Sequence, residues 1–133
     1  MLLLSSERED PMKAIRIKRI YEPPETSDGT RMLVDRLWPR GIAREEARID
    51  AWIKDAAPSD ALRRWYSHDP KKWPEFRARY LTELQQNPAA AELRDRAREA
   101  KTLTLLFAAK DAAHNNAVVL REFLEGAAAG KRT

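Results

Sequence analysis

The segment Thr102 to Ala108 constrains this chain most. Leu103, Leu105, Leu106 and Phe107 make it short, almost wholly apolar and bounded by charge. A strand with one wet face alternates in polarity, whereas one without alternation must be covered on both faces. That is the mark of a central strand in an α/β sheet. The segments before it fit such a sheet. Lys13 to Tyr21 alternates in part, with Ile15 and Ile17 on one side and Arg16 and Lys18 on the other, as an edge strand with a solvated face does. Arg31 to Arg36 reads as a second strand. A helical turn around Ala43 to Ala47 and a short extended piece over Ile49 to Ile53 follow.

Helix starts are written in cap residues. Ser59 follows Ala56-Ala57-Pro58 and opens a helix that turns Leu62, Trp65 and Tyr66 inward. Asp69-Pro70 opens the next, in which Trp73, Phe76, Tyr80 and Leu84 recur at three and four residues. Pro74 lacks an amide donor, so the first turn there is expected to be distorted. Asn87-Pro88 ends that helix and starts another, with Leu93, Ala97 and Ala100 as a narrow stripe. A last helix is expected over Ala113 to Glu125, with Ala117, Leu120 and Leu124 inward and Gly126 past its end.

The order of elements predicts a single three-layer α/β domain with a small, mainly parallel sheet flanked by helices. The link Glu22 to Gly29 is too short and too rich in proline for a crossover helix, so the first two strands are expected to pair antiparallel or irregularly. The domain is drawn over residues 13–125, with 1–12 a disordered leader and 126–133 a flexible tail.

With 133 residues, 43% hydrophobic and 35% charged, the chain has the composition of one soluble globular domain. It has no Cys, which excludes disulfides, thiolate metal sites and Cys nucleophiles. The opening Met1-Leu2-Leu3-Leu4 is too short for a signal peptide core and no later run is long enough to span a bilayer. A cytoplasmic protein without membrane contact is expected. Lys and Arg number 25 against 21 Asp and Glu, giving +4, a mild preference for anionic partners and no diagnosis of nucleic-acid binding.

Three junctions share one logic, in which an extended piece ends, a polar loop follows and a helix begins. They are Asp35-Arg36-Leu37-Trp38-Pro39-Arg40-Gly41, Ala57-Pro58-Ser59, and Lys110-Asp111-Ala112-Ala113-His114-Asn115-Asn116. In a parallel sheet such junctions gather at one edge, where ligands bind. The candidate ligand contacts are Arg31, Arg36, Trp38, Arg40, Ser59, Lys110, Asp111 and Asn115, and the candidate catalytic pair is His114 and Asp35. His114, in the first turn of the last helix, is suited to polarising a substrate or shuttling a proton. Structural uses compete at each position. Arg36 either pairs with Asp35 or Asp28 to lock a loop or meets a ligand. Trp38 suits a core plug better than a stacking platform, Asp111 suits a cap on the last helix, and Ser59 a cap rather than a nucleophile. The two His, His68 and His114, lack metal-ligand spacing, and the four Gly form no phosphate loop. No metal or cofactor is expected.

The motifs resemble the YeaO-like proteins, known as domain of unknown function 488. The resemblance rests on Arg19-Ile20-Tyr21, on Asp28-Gly29-x-Arg31-x-Leu33-Val34 running into the Asp35 to Gly41 segment, and on Trp52-x-Lys54, Ala57-Pro58-Ser59 and Leu62-Arg63-x-Trp65-Tyr66. It continues through His68-Asp69-Pro70, Trp73, Phe76, Tyr80 and Glu83-Leu84 to Leu105-Leu106-Phe107-Ala108-Ala109-Lys110-Asp111 with His114-Asn115, covering roughly Lys13 to Glu125. It implies a compact cytoplasmic α/β domain and no established activity. Some members are labelled transcriptional regulators or porphyrin methyltransferases. The residues here support neither, for they show no helix-turn-helix with a basic recognition helix and no glycine-rich cofactor loop.

The first expectation is a site for a small anion, bearing phosphate or carboxylate and including nucleotides, in an enzyme or a binding protein. The second is a nucleic-acid-binding module using Arg16, Lys18, Arg40, Arg44 and Arg48. The third is a non-catalytic partner protein marked by an exposed apolar patch.

Overall fold

The computed structural model describes residues 14–129, with side chains described as far as Gly126. The expected leader, residues 1–12, lies outside them. The strands are β1 (Ala14–Arg19), β2 (Thr30–Leu33), β3 (Ala51–Trp52) and β4 (Thr102–Phe107). The helices are α1 (Arg44–Ala47), α2 (Asp60–Tyr66), α3 (Trp73–Gln85), α4 (Pro88–Glu99) and α5 (Asn116–Ala129). The sheet order is β1-β4-β2-β3 and every pairing is parallel, a small α/β domain. The apolar β4 takes the central place that its composition predicts.

The expectation for β1 and β2 is corrected. They do not pair, because β4 lies between them and bonds to both in parallel, Ile17 facing Leu105 on one side and Met32 facing Leu105 on the other. The chain crosses from β1 to β2 without an α-helix, through a 3-10 turn at Thr26–Asp28. Gly29 makes this passage possible. It has φ +66°, and a Cβ there would collide with the Thr102 carbonyl.

Strand parity divides the interior. Met32, Val34, Leu103, Leu105 and Phe107 face the main core with α2, α3, α4 and α5. Leu33, Leu106 and Ile20 face the other side, where the segment carrying Trp38, Ile42, Ala47 and Ile49 covers them. That layer holds only the one-turn α1. On the same side the lower half of the sheet is polar, and Asp28 fastens the crossing loop to it. Its carboxylate meets Lys18 at 3.0 Å and Arg31 at 2.5 Å, and its carbonyl accepts from the Thr104 hydroxyl.

Cap signals are used where expected. Ser59 Oγ accepts from the Leu62 amide, Asp69 from Lys71 and Asn87 from Ala89. Pro70–Lys72 is a 3-10 turn that leads into α3, in keeping with the distortion expected near Pro74. Trp65 is half-buried: it packs against the main core and lies under Lys72 and Arg79.

The last helix also differs. It begins at Asn116, because Asp111 takes the Ala113 and His114 amides into a tight turn and Asn115 Oδ1 caps the helix by accepting from Val118. At its other end it continues through Gly126 to Ala129. A run of Ala, the best helix former, carries it across one Gly, so the first four residues of the expected tail are helical.

Candidate functional site

The loops that leave β2 and β4 and those that enter α2 and α5 meet at the C-terminal edge of the sheet. Asp35 fastens them. Its Oδ2 accepts from the Ala108 amide at 2.9 Å and its Oδ1 from Asn116 Nδ2 at 3.2 Å. Asn116 also donates to the Val34 carbonyl, and Trp52 Nε1 donates to the Asp35 carbonyl at 2.7 Å. Burial pushes the Asp35 carboxyl above its ordinary value. The Ala108 amide, the Asn116 side chain and the positive charge of Arg63 pull the other way without cancelling the shift.

Above Asp35 opens a cleft of about 600 Å³, a size typical of small-molecule sites. Arg36, Trp38, Arg40, His114 and Asn115, all expected from the sequence, line it together with Asp35. Arg36 is half-buried and makes no ion pair among the described residues. Its Nε is sealed from solvent and has no hydrogen-bond partner. Trp38 plugs the second core: its Nε1 donates to the Ile42 carbonyl, Arg44 lies 4.5 Å over its ring and Trp52 meets it edge-on. Arg40 is exposed, and its carbonyl accepts from the Tyr21 hydroxyl.

His114 sits in the loop before α5, not in the helix. Its Nδ1 is 2.9 Å from Asp111 Oδ2 and its ring meets Trp73 edge-on at 5.0 Å. The bond to His114, with the Ala113 and His114 amides, holds the Asp111 carboxyl below its ordinary range. Asp111 therefore serves the turn ahead of α5, while the capping expected of it falls to the buried Asn115.

Lys110 and Asp111 line a second hollow that adjoins the first, sharing Tyr21, His68, Ala108 and Ala109 with it. Two expected contacts are elsewhere. Ser59 turns away to Glu83, which accepts from both its amide and its hydroxyl. Arg31 is buried beneath the crossing loop, its guanidinium shared between Asp28 and the carbonyls of Ala47 and Arg48.

Sequence reasoning missed Arg63, Arg64 and Tyr66, which α2 contributes to the cleft. Arg63 pairs with Asp60, yet its Nε is also buried without a partner. The adjacent basic pair one turn after the Ser59 cap was the available signal. Among the described residues no group of three or more His, Asp or Glu gathers where a metal ion might be held, and no helix is long and apolar enough to cross a membrane.

A family model described as the inactive DUF488-N3 subclade matches residues 14–132. The uncharacterized protein YeaO of Escherichia coli K12 is 43% identical over 111 residues, which are 83% of this chain and 96% of that one. An uncharacterized protein of Mycobacterium tuberculosis H37Rv is 42% identical over 112 residues, 84% of this chain and 94% of that one. No solved structure matches. The motifs that run from the Asp28-Gly29 crossing through the Trp-Pro corner to His114 thus have relatives of nearly the same extent, and the chain belongs to the YeaO-like DUF488 family.

Proposed function

We propose that this protein binds a small anionic ligand in the cleft at the C-terminal edge of its sheet, and that it holds the ligand without turning it over. One observation carries the reading. Four arginines, Arg36, Arg40, Arg63 and Arg64, line the cleft beside a single carboxylate, Asp35, and Arg36 makes no ion pair among the described residues. Cations gathered in a cleft without matching carboxylates favour an anion from outside. Guanidinium groups are best matched by the oxygens of a phosphate or carboxylate.

Binding without chemistry is supported by the state of Asp35, whose two oxygens accept from the Ala108 amide and from Asn116 Nδ2 and so tie it to the fold. The subclade's description as inactive agrees. The nucleic-acid reading is weaker. Lys18 is bound to Glu25 and Asp28, Arg16 donates to the Ser27 carbonyl, and Arg44 lies over Trp38 and Trp52. Three of the five residues of the supposed basic face are thus already engaged within the chain.

The test is a melting-temperature titration with inorganic phosphate, simple carboxylates and nucleotides. A bound anion at about 100 times its Kd adds about 2.7 kcal/mol of stability. Wild type is expected to gain it, and Arg36→Ala and Arg36→Lys to lose most of it, since Lys restores charge but not the two-pronged guanidinium grip. Equal responses in wild type and Arg36→Ala would overturn the proposal, as would no response to any anion.

A further inference from the structure

The proposed site is larger than an anion needs, and its lining is of two kinds. A cleft of about 600 Å³ has the volume of roughly twenty waters at about 30 Å³ each, and a lone phosphate fills a small part of that. One region is cationic. Arg36, Arg63 and Arg64 line it, and Arg63 is bonded to the exposed carboxyl of Asp60. Four arginines, Arg36, Arg40, Arg63 and Arg64, line the cleft beside one carboxylate, Asp35. A phosphate monoester, with about −1.5 to −2 at neutral pH, meets such a surplus better than a monocarboxylate.

The other region is apolar, walled by Pro58, Phe76 and Tyr66. Leu37, 68% exposed, stands in the lining as well. Tyr66 is the informative residue. The residue is 6% exposed and its ring is stacked on Phe76 at 4.3 Å, and its hydroxyl makes no hydrogen bond to the described residues. Tyr66 lines the cleft, where a ligand can supply that partner. A buried tyrosine ordinarily finds a partner for its O–H. Burial, with Asp111 and Asp69 nearby, raises the phenol above its ordinary value, so it stays protonated and able to donate.

We propose that the ligand is a phosphate monoester with a ring-sized, partly apolar body: its phosphate sits among Arg36, Arg63 and Arg64, and a polar atom of the ring accepts from the Tyr66 hydroxyl. This rests on the anion-binding reading above and names its ligand class. Adenosine 5′-monophosphate and phenyl phosphate are ring-bearing probes, with and without polar ring atoms; glycerol 3-phosphate and inorganic phosphate lack the ring.

Calorimetric titration of the four probes into wild type and Tyr66→Phe tests the assignment. Phe keeps the stack on Phe76, and an unchanged melting temperature without ligand verifies the fold. Both ring esters are expected to bind wild type at least tenfold more tightly than inorganic phosphate or glycerol 3-phosphate. Tyr66→Phe is expected to weaken adenosine monophosphate five- to tenfold and to leave phenyl phosphate and inorganic phosphate unchanged. If inorganic phosphate binds through Arg36 but the ring esters gain nothing, or if Tyr66→Phe shifts every probe alike, the ring assignment falls and the anion site stands. If no probe binds, both fall.

Discussion

Asp28 and Asp35 flank the same strand, β2, and the protein treats them in opposite ways. Ahead of the strand, burial penalises the Asp28 carboxylate, but the Glu25 amide, Lys18 and Arg31 outweigh it and hold the carboxyl below its ordinary value. Beyond the strand, burial wins and the Asp35 carboxyl is raised. Their arginine neighbours differ likewise. Arg31 spends Nε, Nη1 and Nη2 on Arg48, Asp28 and Ala47. Arg36 has a buried Nε with nothing to bond. Charge that the protein saturates itself is structure; Arg36, in the cleft wall and without an ion pair among the described residues, is available to a guest. The Asp28 end closes the fold, and the Asp35 end is the place for a guest.

The largest expected effect lies at the closed end. Arg31→Ala leaves Asp28 buried with Lys18 as its remaining charged partner and orphans the Ala47 and Arg48 carbonyls. Breaking one partner from a buried pair costs about 3–5 kcal/mol, read by urea unfolding at neutral pH. Because the Asp28 carboxyl is lowered in the fold, its contribution is complete above the unfolded carboxylate value and is lost as pH falls through the folded value. The gap between wild type and variant should therefore narrow in acid. A loss under about 1 kcal/mol, or a gap that widens in acid, would break the contrast.

Asp35 should show the reverse slope with a smaller size. Its folded value lies above its unfolded one, so stability is lost as pH rises through the folded value and the charge is forced into a buried place. Asp35→Asn carries no such charge. It does sacrifice one acceptor facing Ala108 or Asn116, which keeps its stability within about 1.5 kcal/mol of wild type. As pH rises from the unfolded carboxylate value through the folded one, the difference should move in the variant's favour. A flat difference, or one moving toward wild type, would remove the opposition between the two ends.

The same opposition explains what was readable in the chain. The central strand, the Ser59, Asp69 and Asn87 caps and the α3 stripe are local, set by composition and cap chemistry within a few residues. The place of β4 between β1 and β2 is not local, because a ten-residue link says nothing of the strand that arrives 70 residues later. Arg36, Trp38 and Arg40 were legible at the cleft because they continue a strand end. Arg31 was misleading. Parity turns it, with Leu33, to the face that the crossing loop closes, and only the fold brings Asp28 and Ala47 around it. Tyr66 was read as core, which it is, but a helix stripe does not show that one hydroxyl at its border looks into a cleft. The α5 start was misread because Asp111 makes the same kind of backbone bonds as a cap, one turn ahead of the true cap at Asn115.

Arg36→Ala should have the smallest effect on stability, and that smallness is the sharpest form of the contrast. The side chain makes no ion pair among the described residues and its Nε bonds to nothing, so truncation removes an unpaid desolvation along with the packing of its aliphatic stem. The two terms oppose each other, and the unfolding free energy should stay within about 0.5 kcal/mol of wild type, as at surface sites. Arg31→Ala, the same substitution a few residues earlier, costs several times more. Urea unfolding of the two variants side by side decides the matter. Equal losses would mean that Arg36 serves the fold as Arg31 does, and its place in the cleft wall would no longer point to a ligand.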